Sequence, residues 1–211
     1  MSIRILITDD HAIVREGLSR ILGAMANIEV AGEAADGAEA LLKIASLDPD
    51  VVLMDISMPG MSGVDLIGRV HAERPWLPVL VLSMHKEEQF AVRAFKVGAA
   101  GYLTKDCAPE ELEQAIRRVA AGGKYISSEV ADALANAILP SRVGAPHERL
   151  SNREFQVFRM LVSGQSINEI AQELSLSANT ISTHKHRLMN KLGTENSASL
   201  VRYALTHQII Q

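Results

Sequence analysis

Five polar side chains stand where apolar runs of the sequence end, and together they could carry out phosphoryl chemistry. They are Asp9, Asp10, Asp55, Ser83 and Lys105. Three carboxylates placed together repel one another, and a divalent cation with oxygen ligands, such as Mg²⁺, relieves that repulsion. Once Mg²⁺ and the Lys105 ammonium neutralise the pocket, Asp55 could act as a nucleophile toward phosphorus. The Ser83 hydroxyl could then donate a hydrogen bond to the phosphoryl oxygens.

A repeating strand–helix pattern would position these residues. Apolar runs of strand length occur at residues 3–7, 28–34, 51–54, 79–83 and 101–104. Apolar residues at helical spacing follow each of them. Five strands alternating with five helices predict an α/β fold, a flavodoxin-like doubly wound five-stranded parallel sheet of order 2-1-3-4-5. Strands one and three are neighbours in that order, so the five polar side chains share the carboxyl edge of the sheet.

Each of these residues also has a purely structural interpretation. Asp55 could cap or solvate the loop that follows it, which Pro and Gly punctuate at residues 59–63. Asp9 and Asp10 could cap the first helix, and Lys105 could be a surface charge. A shared site explains the arrival of all five at one edge better than five separate coincidences do.

The bulk composition is that of a globular protein of a reducing compartment. The 211 residues are 47% hydrophobic and 22% charged, and the length suits two domains. The single cysteine, Cys107, cannot form an intrachain disulfide. The amino terminus is not a signal peptide, and no apolar run approaches the roughly 18 residues of a membrane span. We therefore expect a cytoplasmic location and no membrane partner.

The second half predicts a separate all-α domain of four helices. An Ala-rich segment at residues 129–139 is expected to be helical, and a linker with Pro and Gly follows at residues 140–147. Capping boxes at residues 151–154 and 166–169 begin two helices, and Gly193 ends the third. A short helix, a tight turn and a longer helix form the helix-turn-helix arrangement.

The third helix of this domain has a polar face suited to DNA. Ile181, Leu188 and Leu192 fall on one face, which we expect to be buried together with His184. The other face is small or polar and is flanked by cations. These residues are Asn179, Ser182, Thr183, His186 and Asn190, with Lys185, Arg187 and Lys191 on the flanks. In a major groove the centre would read base edges and the flanks would hold phosphates.

The charge distribution permits such a polyanionic partner. The net charge is −4, but residues 150–211 hold six Lys and Arg against four Asp and Glu. The alternative is a solvated amphipathic helix in a small bundle. The short capped helix and the turn before it favour DNA.

Residues 1–120 resemble the receiver domain of two-component response regulators. The resemblance rests on Asp9-Asp10-His11, Asp55 with Met58-Pro59-Gly60-Met61-Ser62-Gly63, Ser83, Tyr102 and Lys105. It implies that Asp55 accepts a phosphoryl group from a sensor histidine kinase and that Lys105 contacts that group. It further implies a switch pair, Ser83 and Tyr102. The implied Mg²⁺ ligands are Asp10, Asp55 and the main-chain carbonyl of Ser57, supported by Asp9. Met84 stands where receivers often have Ala or Gly, and it could narrow access for water and phosphodonors.

Residues 148–210 resemble the LuxR-type helix-turn-helix of the NarL/FixJ class. The resemblance rests on residues 150–154, 168–171, 177–183 and 191–193. The base-reading positions of that class correspond to Ser182, Thr183 and His186. Ser182 stands where members of that class often have Lys, and Lys185 stands where they often have an apolar residue. The operator sequence that relatives bind therefore cannot be assumed for this protein. The implied partner is double-stranded promoter DNA, bound by a homodimer in the active state, and RNA polymerase is a further candidate.

These observations predict a receiver domain at residues 1–122, a linker with a short helix at 123–147 and a DNA-binding domain at 148–211. Our hypothesis is a transcription regulator that phosphorylation of Asp55 controls, through dimerisation or domain release. We expect no enzyme activity beyond self-phosphorylation from a phosphodonor and autodephosphorylation. One alternative is a phosphatase with an aspartyl phosphate intermediate. Such enzymes use an Asp-x-Asp pair at a strand end, whereas here the acids after the first strand are adjacent and the candidate nucleophile follows the third strand. Another is a DNA-binding protein whose receiver serves only for dimerisation.

Overall fold

The computed structural model describes residues 2–58, 61–84, 88–127, 131, 145–207 and 209–210. Contacts divide the chain into two compact units, Met1–Leu139 and Pro140–Gln211. Apart from residue 131, the helix predicted at 129–139 lies outside the described residues, and so does most of the linker predicted at 140–147. Within the described ranges, no helix is long and apolar enough to cross a membrane.

The first unit alternates strands and helices. Its strands are β1 (Ile3–Thr8), β2 (Ile28–Ala34), β3 (Val51–Met54), β4 (Val79–Ser83) and β5 (Gly101–Thr104). Its helices are α1 (Ala12–Gly23), α2 (Gly37–Leu47), α3 (Gly63–Glu73), α4 (Glu88–Lys96) and α5 (Pro109–Ala120). All the strand pairs are parallel, and the order is β2-β1-β3-β4-β5. The predicted flavodoxin-like α/β fold is therefore confirmed.

Apolar runs and stripes build this unit because both faces of the sheet are covered. Every residue of β3 is buried, as expected for a parallel strand between two layers of helices. Helix α5 begins with Pro109, whose missing N–H costs nothing in the first turn. One face of α5 is buried in the core that β1, β3 and β4 share. That face consists of Leu112, Ala115, Ile116 and Val119.

The register between β1 and β3 sets the position of the acids. Thr8 pairs with Met54 at the ends of the two strands, and the Asp55 N–H donates to the Thr8 carbonyl at 2.8 Å. The loop after Asp55 folds back on the start of α3, where a Cβ at Gly63 would lie 2.4 Å from Ile56 Cα. Glycine is therefore required at position 63 for the loop to close beside the strand ends.

The second unit is all-α, as predicted. A 3-10 helix, Pro146–Arg149, precedes α6 (Asn152–Val162), α7 (Ile167–Glu173), α8 (Ala178–Leu192) and α9 (Ser197–Thr206). Both predicted capping boxes are confirmed, at Ser151 before α6 and at Ser166 before α7. Gly193 ends α8 with a φ of 65°, a left-handed conformation that glycine adopts without strain.

Candidate functional site

Three carboxylates lie together at the carboxyl edge of the sheet. Asp9 and Asp10 follow β1 and Asp55 follows β3, with Asp9 1% and Asp55 3% exposed. One ligand atom from each of these acids, together with one ring nitrogen of His11, lies within 4.8 Å of all the others. The structure therefore brings together the three acids that the sequence placed at this edge.

The ammonium of Lys105 lies between two of these acids. Its Nζ is 2.6 Å from Asp9 Oδ2 and 2.8 Å from Asp55 Oδ2, and its side chain is 9% exposed. The main-chain N–H of Lys105 donates to the Ser83 carbonyl at 2.8 Å, which fixes the residue at the end of β5. The alternative that made Lys105 a surface charge is therefore wrong.

Asp55 and Lys105 each stabilise the charged form of the other, which opposes the effect of burial. Burial raises the pKa of Asp55, although the Lys105 ammonium and the Ser57 N–H, 3.0 Å from Asp55 Oδ1, act to lower it. For Lys105, burial acts to lower the pKa, but the charge of Asp55 and hydrogen bonds to Asp55 and Asp9 outweigh it and raise the pKa. Lys105 is consequently held as a cation among the carboxylates.

Ser83 and Tyr102 lie on neighbouring strands and are in contact. Ser83 is fully buried, Tyr102 is 3% exposed, and their side chains form a hydrogen bond. Burial raises the pKa of Tyr102 far above its usual value, so the phenol keeps its proton. The negative charge of Asp55 also raises the pKa of Tyr102, so the two groups are close enough to interact electrostatically. The residues predicted as a switch pair therefore touch.

The acidic cluster fits a divalent metal ion. Among the described residues, Asp10 Oδ1 is buried and accepts no well-aligned hydrogen bond, although His11 Nδ1 lies 2.9 Å away, and a cation would satisfy it. Carboxylate oxygens are the donors that Mg²⁺ prefers. Ser57, whose carbonyl was predicted as a further ligand, lies beside the cluster because its N–H donates to Asp55.

His11 borders the cluster, although no role was predicted for it from the sequence. Its Nδ1 lies 2.9 Å from Asp10 Oδ1 and 3.3 Å from Asp9 Oδ1, and its side chain is 66% exposed. The residue before α1 is His11, and its own N–H donates to Asp9 at 2.9 Å. The alternative that Asp9 and Asp10 cap α1 is therefore wrong. The signal that could have found His11 was its place directly after the two acids.

Helices α7 and α8 form the predicted helix-turn-helix. Ser175, in the turn between them, has a φ of 51°. Ile181 and Leu188 are fully buried and Leu192 is 6% exposed, so the predicted inner face of α8 is confirmed. His184 lies on this side and is half-buried, and burial lowers its pKa, with the Arg153 charge as a second cause. We therefore assign His184 a structural position.

The opposite face of α8 is open to solvent. Asn179, Ser182, Thr183, His186, Arg187 and Asn190 are exposed, and Lys185 is half-exposed. Thr183 Oγ1 donates to the Asn179 carbonyl at 2.9 Å, and the His186 and Asn190 side chains lie 3.2 Å apart. The residues predicted to read bases therefore share one accessible surface.

The three flanking cations differ in their surroundings. Lys191 Nζ lies 2.6 Å from Oε2 of Glu154, a residue that is 4% exposed, and 3.4 Å from the Arg149 carbonyl. Lys185 Nζ lies 3.2 Å from the Ser197 hydroxyl, a neutral partner. Arg187 is exposed. The ammonium of Lys191 therefore already neutralises a buried carboxylate, whereas the charge of Lys185 is not balanced by that hydroxyl.

The sequence matches two protein-family models. Residues 5–117 match the family described as the response regulator receiver domain, and residues 148–204 match bacterial regulatory proteins of the luxR family. The chain belongs to the response regulator family. The predicted class, a DNA-binding transcription regulator with a receiver domain and a LuxR-type helix-turn-helix, is thereby confirmed, and the phosphatase alternative is not supported.

Curated relatives of this response regulator match along nearly the whole chain. It is 37% identical over 206 residues to the response regulator UvrY of Escherichia coli strain K12, which covers 97% of this chain and 94% of UvrY. It is 37% identical over 209 residues to the response regulator GacA of Pseudomonas viridiflava, with 99% and 98% covered.

Solved structures of RcsB also resemble this response regulator. One is RcsB from Salmonella enterica serovar Typhimurium bound to the promoter rprA in the presence of the phosphomimetic BeF₃⁻. It is 30% identical, with a TM-score of 0.64, and the match covers 96% of this chain and 98% of that chain. A second RcsB structure, from Salmonella typhimurium, has a TM-score of 0.69 at 30% identity, with 97% and 98% covered.

Proposed function

We propose that phosphorylation of Asp55 controls promoter binding by this response regulator. The observation that carries the proposal is the position of Asp55, a buried carboxylate at the carboxyl edge, 2.8 Å from Lys105 Nζ and grouped with two further acids. The receiver domain would span residues 1–122, the linker 123–147 and the DNA-binding domain 148–211. Because its target is chromosomal DNA, the protein would act in the cytoplasm.

The phosphodonor is a phosphohistidine of a sensor histidine kinase. A carboxylate oxygen of Asp55 forms a bond to phosphorus, the P–N bond breaks, and its electron pair stays on the imidazole of the kinase. Lys105 contacts the transferred group and stabilises the charge on its oxygens. Asp9, Asp10, Asp55 and the Ser57 carbonyl would hold Mg²⁺, which supplies further charge neutralisation when it is bound.

Two activities of the receiver alone follow from the same site. A small acyl phosphate can replace the kinase, because positioning and charge stabilisation are supplied by the receiver. Autodephosphorylation is the attack of water on the same phosphorus, which releases inorganic phosphate and restores the Asp55 carboxylate. Met84, which is 73% exposed next to Ser83, borders the path by which water and donor approach.

The Ser83–Tyr102 contact would convert phosphorylation into a change of surface. A phosphoryl group adds charge and strong acceptor oxygens, and the Ser83 hydroxyl is a donor for them. When Ser83 turns toward the phosphoryl group, its hydrogen bond with Tyr102 changes, and the face formed by α4, β5 and α5 repacks. Such a repacking would alter dimerisation or release the DNA-binding domain.

In the DNA complex, α8 would lie in the major groove. The exposed polar residues of α8 would face base edges, and Lys185 and Arg187 would hold phosphates. Lys191 would contribute to phosphate binding only by leaving Glu154, so we rank it below the other two. The RcsB complexes with DNA, one of them with the promoter rprA, support this use of the domain. A homodimer would place two α8 helices about one helical turn of DNA apart, and RNA polymerase is a candidate further partner.

Mass spectrometry and DNA binding test the proposal together. The full chain is incubated with Mg²⁺ and acetyl phosphate, and wild type is compared with Asp55→Asn and with Asp65→Asn, an exposed acid of α3. Wild type and Asp65→Asn should gain one phosphoryl group, and Asp55→Asn should gain none. DNA fragments are first selected from the genome with the phosphorylated protein. Binding to these fragments should rise on treatment with acetyl phosphate in wild type and Asp65→Asn only. A phosphoryl group on Asp55→Asn, or equal DNA binding before and after modification, would refute the proposal.

A further inference from the structure

His11 extends its imidazole to the acidic cluster, although it is not one of the predicted metal ligands. We infer that His11 is a further protein ligand of this metal site, beside the three carboxylates and the Ser57 carbonyl, and shifts its preference from Mg²⁺ toward first-row transition-metal ions such as Mn²⁺. The inference rests on the proposed metal site and concerns which ion that site selects.

The contact between His11 and Asp10 has a spacing that fits two ligands of one ion. Nδ1 lies 2.9 Å from Asp10 Oδ1, yet that oxygen accepts no well-aligned hydrogen bond from the described residues. The distance from Nδ1 to Asp9 Oδ1 is 3.3 Å. Neighbouring ligands of an octahedral ion with bonds of about 2.1 Å stand about 3 Å apart, so both distances match.

The backbone keeps the ring in this place. The His11 N–H donates to Asp9 Oδ1 at 2.9 Å, so the turn after β1 is tied to the cluster itself. The His11 side chain makes no cap hydrogen bond to α1, and its Nδ1 contacts the acidic cluster instead. With 66% of the side chain exposed, an ion can reach Nδ1 from solvent.

The donor set then determines the ion. Mg²⁺ prefers oxygen ligands and gains little from an imidazole. Imidazole nitrogen binds first-row transition-metal ions more strongly than it binds Mg²⁺, while carboxylates accept both kinds of ion. Oxygen ligands together with one imidazole therefore favour first-row transition-metal ions over Mg²⁺. Mn²⁺ is the one closest to Mg²⁺ in its preference for oxygen, and it serves here as the paramagnetic probe of that difference.

Electron paramagnetic resonance of the unphosphorylated full chain loaded with Mn²⁺ tests the assignment. Nitrogen-14 coupling to Mn²⁺, seen by pulsed measurements, identifies a coordinated imidazole. Free Mn²⁺ in the same samples gives the affinity, and competition with Mg²⁺ gives the preference between the two ions. The variants are His11→Gln, Asp10→Asn and, as a matched control, His71→Gln, which changes another exposed histidine of the same unit.

Wild type and His71→Gln should show the nitrogen coupling. His11→Gln should lose it, and its preference for Mn²⁺ over Mg²⁺ should fall by about tenfold while Mg²⁺ affinity is unchanged. Asp10→Asn should weaken the binding of both ions. Absence of the coupling in wild type, its persistence in His11→Gln, or an unchanged preference would overturn the inference. If Asp55 still gains a phosphoryl group with Mg²⁺ in that case, the proposed function stands and the ligand assignment alone fails.

Discussion

Lys105 and Asp55 form an ion pair with 2.8 Å between Nζ and Oδ2, and both side chains are nearly buried. The same ammonium is 2.6 Å from Asp9. It therefore acts as the counterion of the acidic cluster while no metal is bound. A metal ion that enters the cluster must share these two carboxylates with Lys105.

This competition predicts that Lys105→Gln binds Mg²⁺ more tightly than wild type. A unit charge about 4 Å away costs a cation about 1 to 4 kcal/mol in this kind of environment. We expect the Kd for Mg²⁺, measured by calorimetry, to fall by about tenfold, or about 1.4 kcal/mol. Lys96→Gln, at an exposed position of α4, should leave the Kd unchanged. Weaker Mg²⁺ binding by Lys105→Gln would show that the ammonium does not compete.

Separating Ser83 from Tyr102 should uncouple phosphorylation from DNA binding. Tyr102→Phe removes the hydroxyl that forms the hydrogen bond with Ser83, and the free energy of unfolding of the variant should be lower by about 1 kcal/mol. Phosphoryl incorporation from acetyl phosphate should continue, because Asp55 and Lys105 are untouched. The increase in DNA affinity on phosphorylation should be lost.

A control variant for this pair is Tyr125→Phe, which removes a hydroxyl at 3.2 Å from Glu111 elsewhere in the same unit. It should keep the phosphorylation-dependent increase in DNA affinity. A full increase in Tyr102→Phe as well would mean that the signal leaves the pocket by another route.

Met84→Ala should shorten the lifetime of the phosphorylated state. Met84 is 73% exposed directly after Ser83, so it contributes little to the core, and we expect its side chain to shield the pocket mouth. A methyl group in its place admits water to phosphorus more readily, and we expect autodephosphorylation to accelerate severalfold. The decay of phosphoprotein, followed by mass spectrometry, measures the effect. A substitution at the similarly exposed Leu42, Leu42→Ala, should not change the decay.

Lys185→Ala should weaken binding to every DNA sequence. If Lys185 neutralises one phosphate, its loss reduces the slope of log K against log salt by about 0.9. Fluorescence anisotropy over a range of salt concentrations gives this slope. Lost discrimination between sequences with an unchanged slope would instead place Lys185 among the base-reading residues.

Glu154→Gln should destabilise the DNA-binding domain and flatten its pH dependence. Burial acts to raise the pKa of Glu154, but the Lys191 ammonium and Ser151 outweigh it and lower the pKa below 4.5. A lowered pKa stabilises the folded domain above the unfolded value, and this stability is lost as the pH falls through the folded value. Near neutral pH the variant should lose about 2 kcal/mol of unfolding free energy.

Urea unfolding followed through the NMR signals of α8 measures this stability at neutral and at acidic pH. The difference between wild type and Glu154→Gln should shrink as the solution is acidified. Glu195→Gln, at an exposed position, serves as the control and should match wild type throughout. A difference that stays constant with pH would rule out the charge of Glu154 as its source.

The sheet could be predicted because few parallel topologies accommodate five apolar strands. The position of the acids could then be predicted as well, because they directly follow two of those strands. The Lys191–Glu154 pair could not be predicted. Helical angles place Lys191 on a flank of α8, but they do not show that Glu154, 37 residues away, is its neighbour. The ring position of His11 was missed for a related reason. It depends on a main-chain hydrogen bond to Asp9 within a turn, which no apolar pattern reports.

The pairing of Thr8 with Met54 restricts how this chain can change in length. Side chains alternate between the two faces of the sheet. One residue inserted into β1 or β3 would therefore move every later side chain of that strand to the opposite face. Asp9 would then turn away from Asp55, and Lys105 would lose one of its two carboxylates. Insertions and deletions are therefore tolerable at the opposite, amino-terminal edge of the sheet, where no residue of the pocket lies. Variation in length among functional variants should concentrate there.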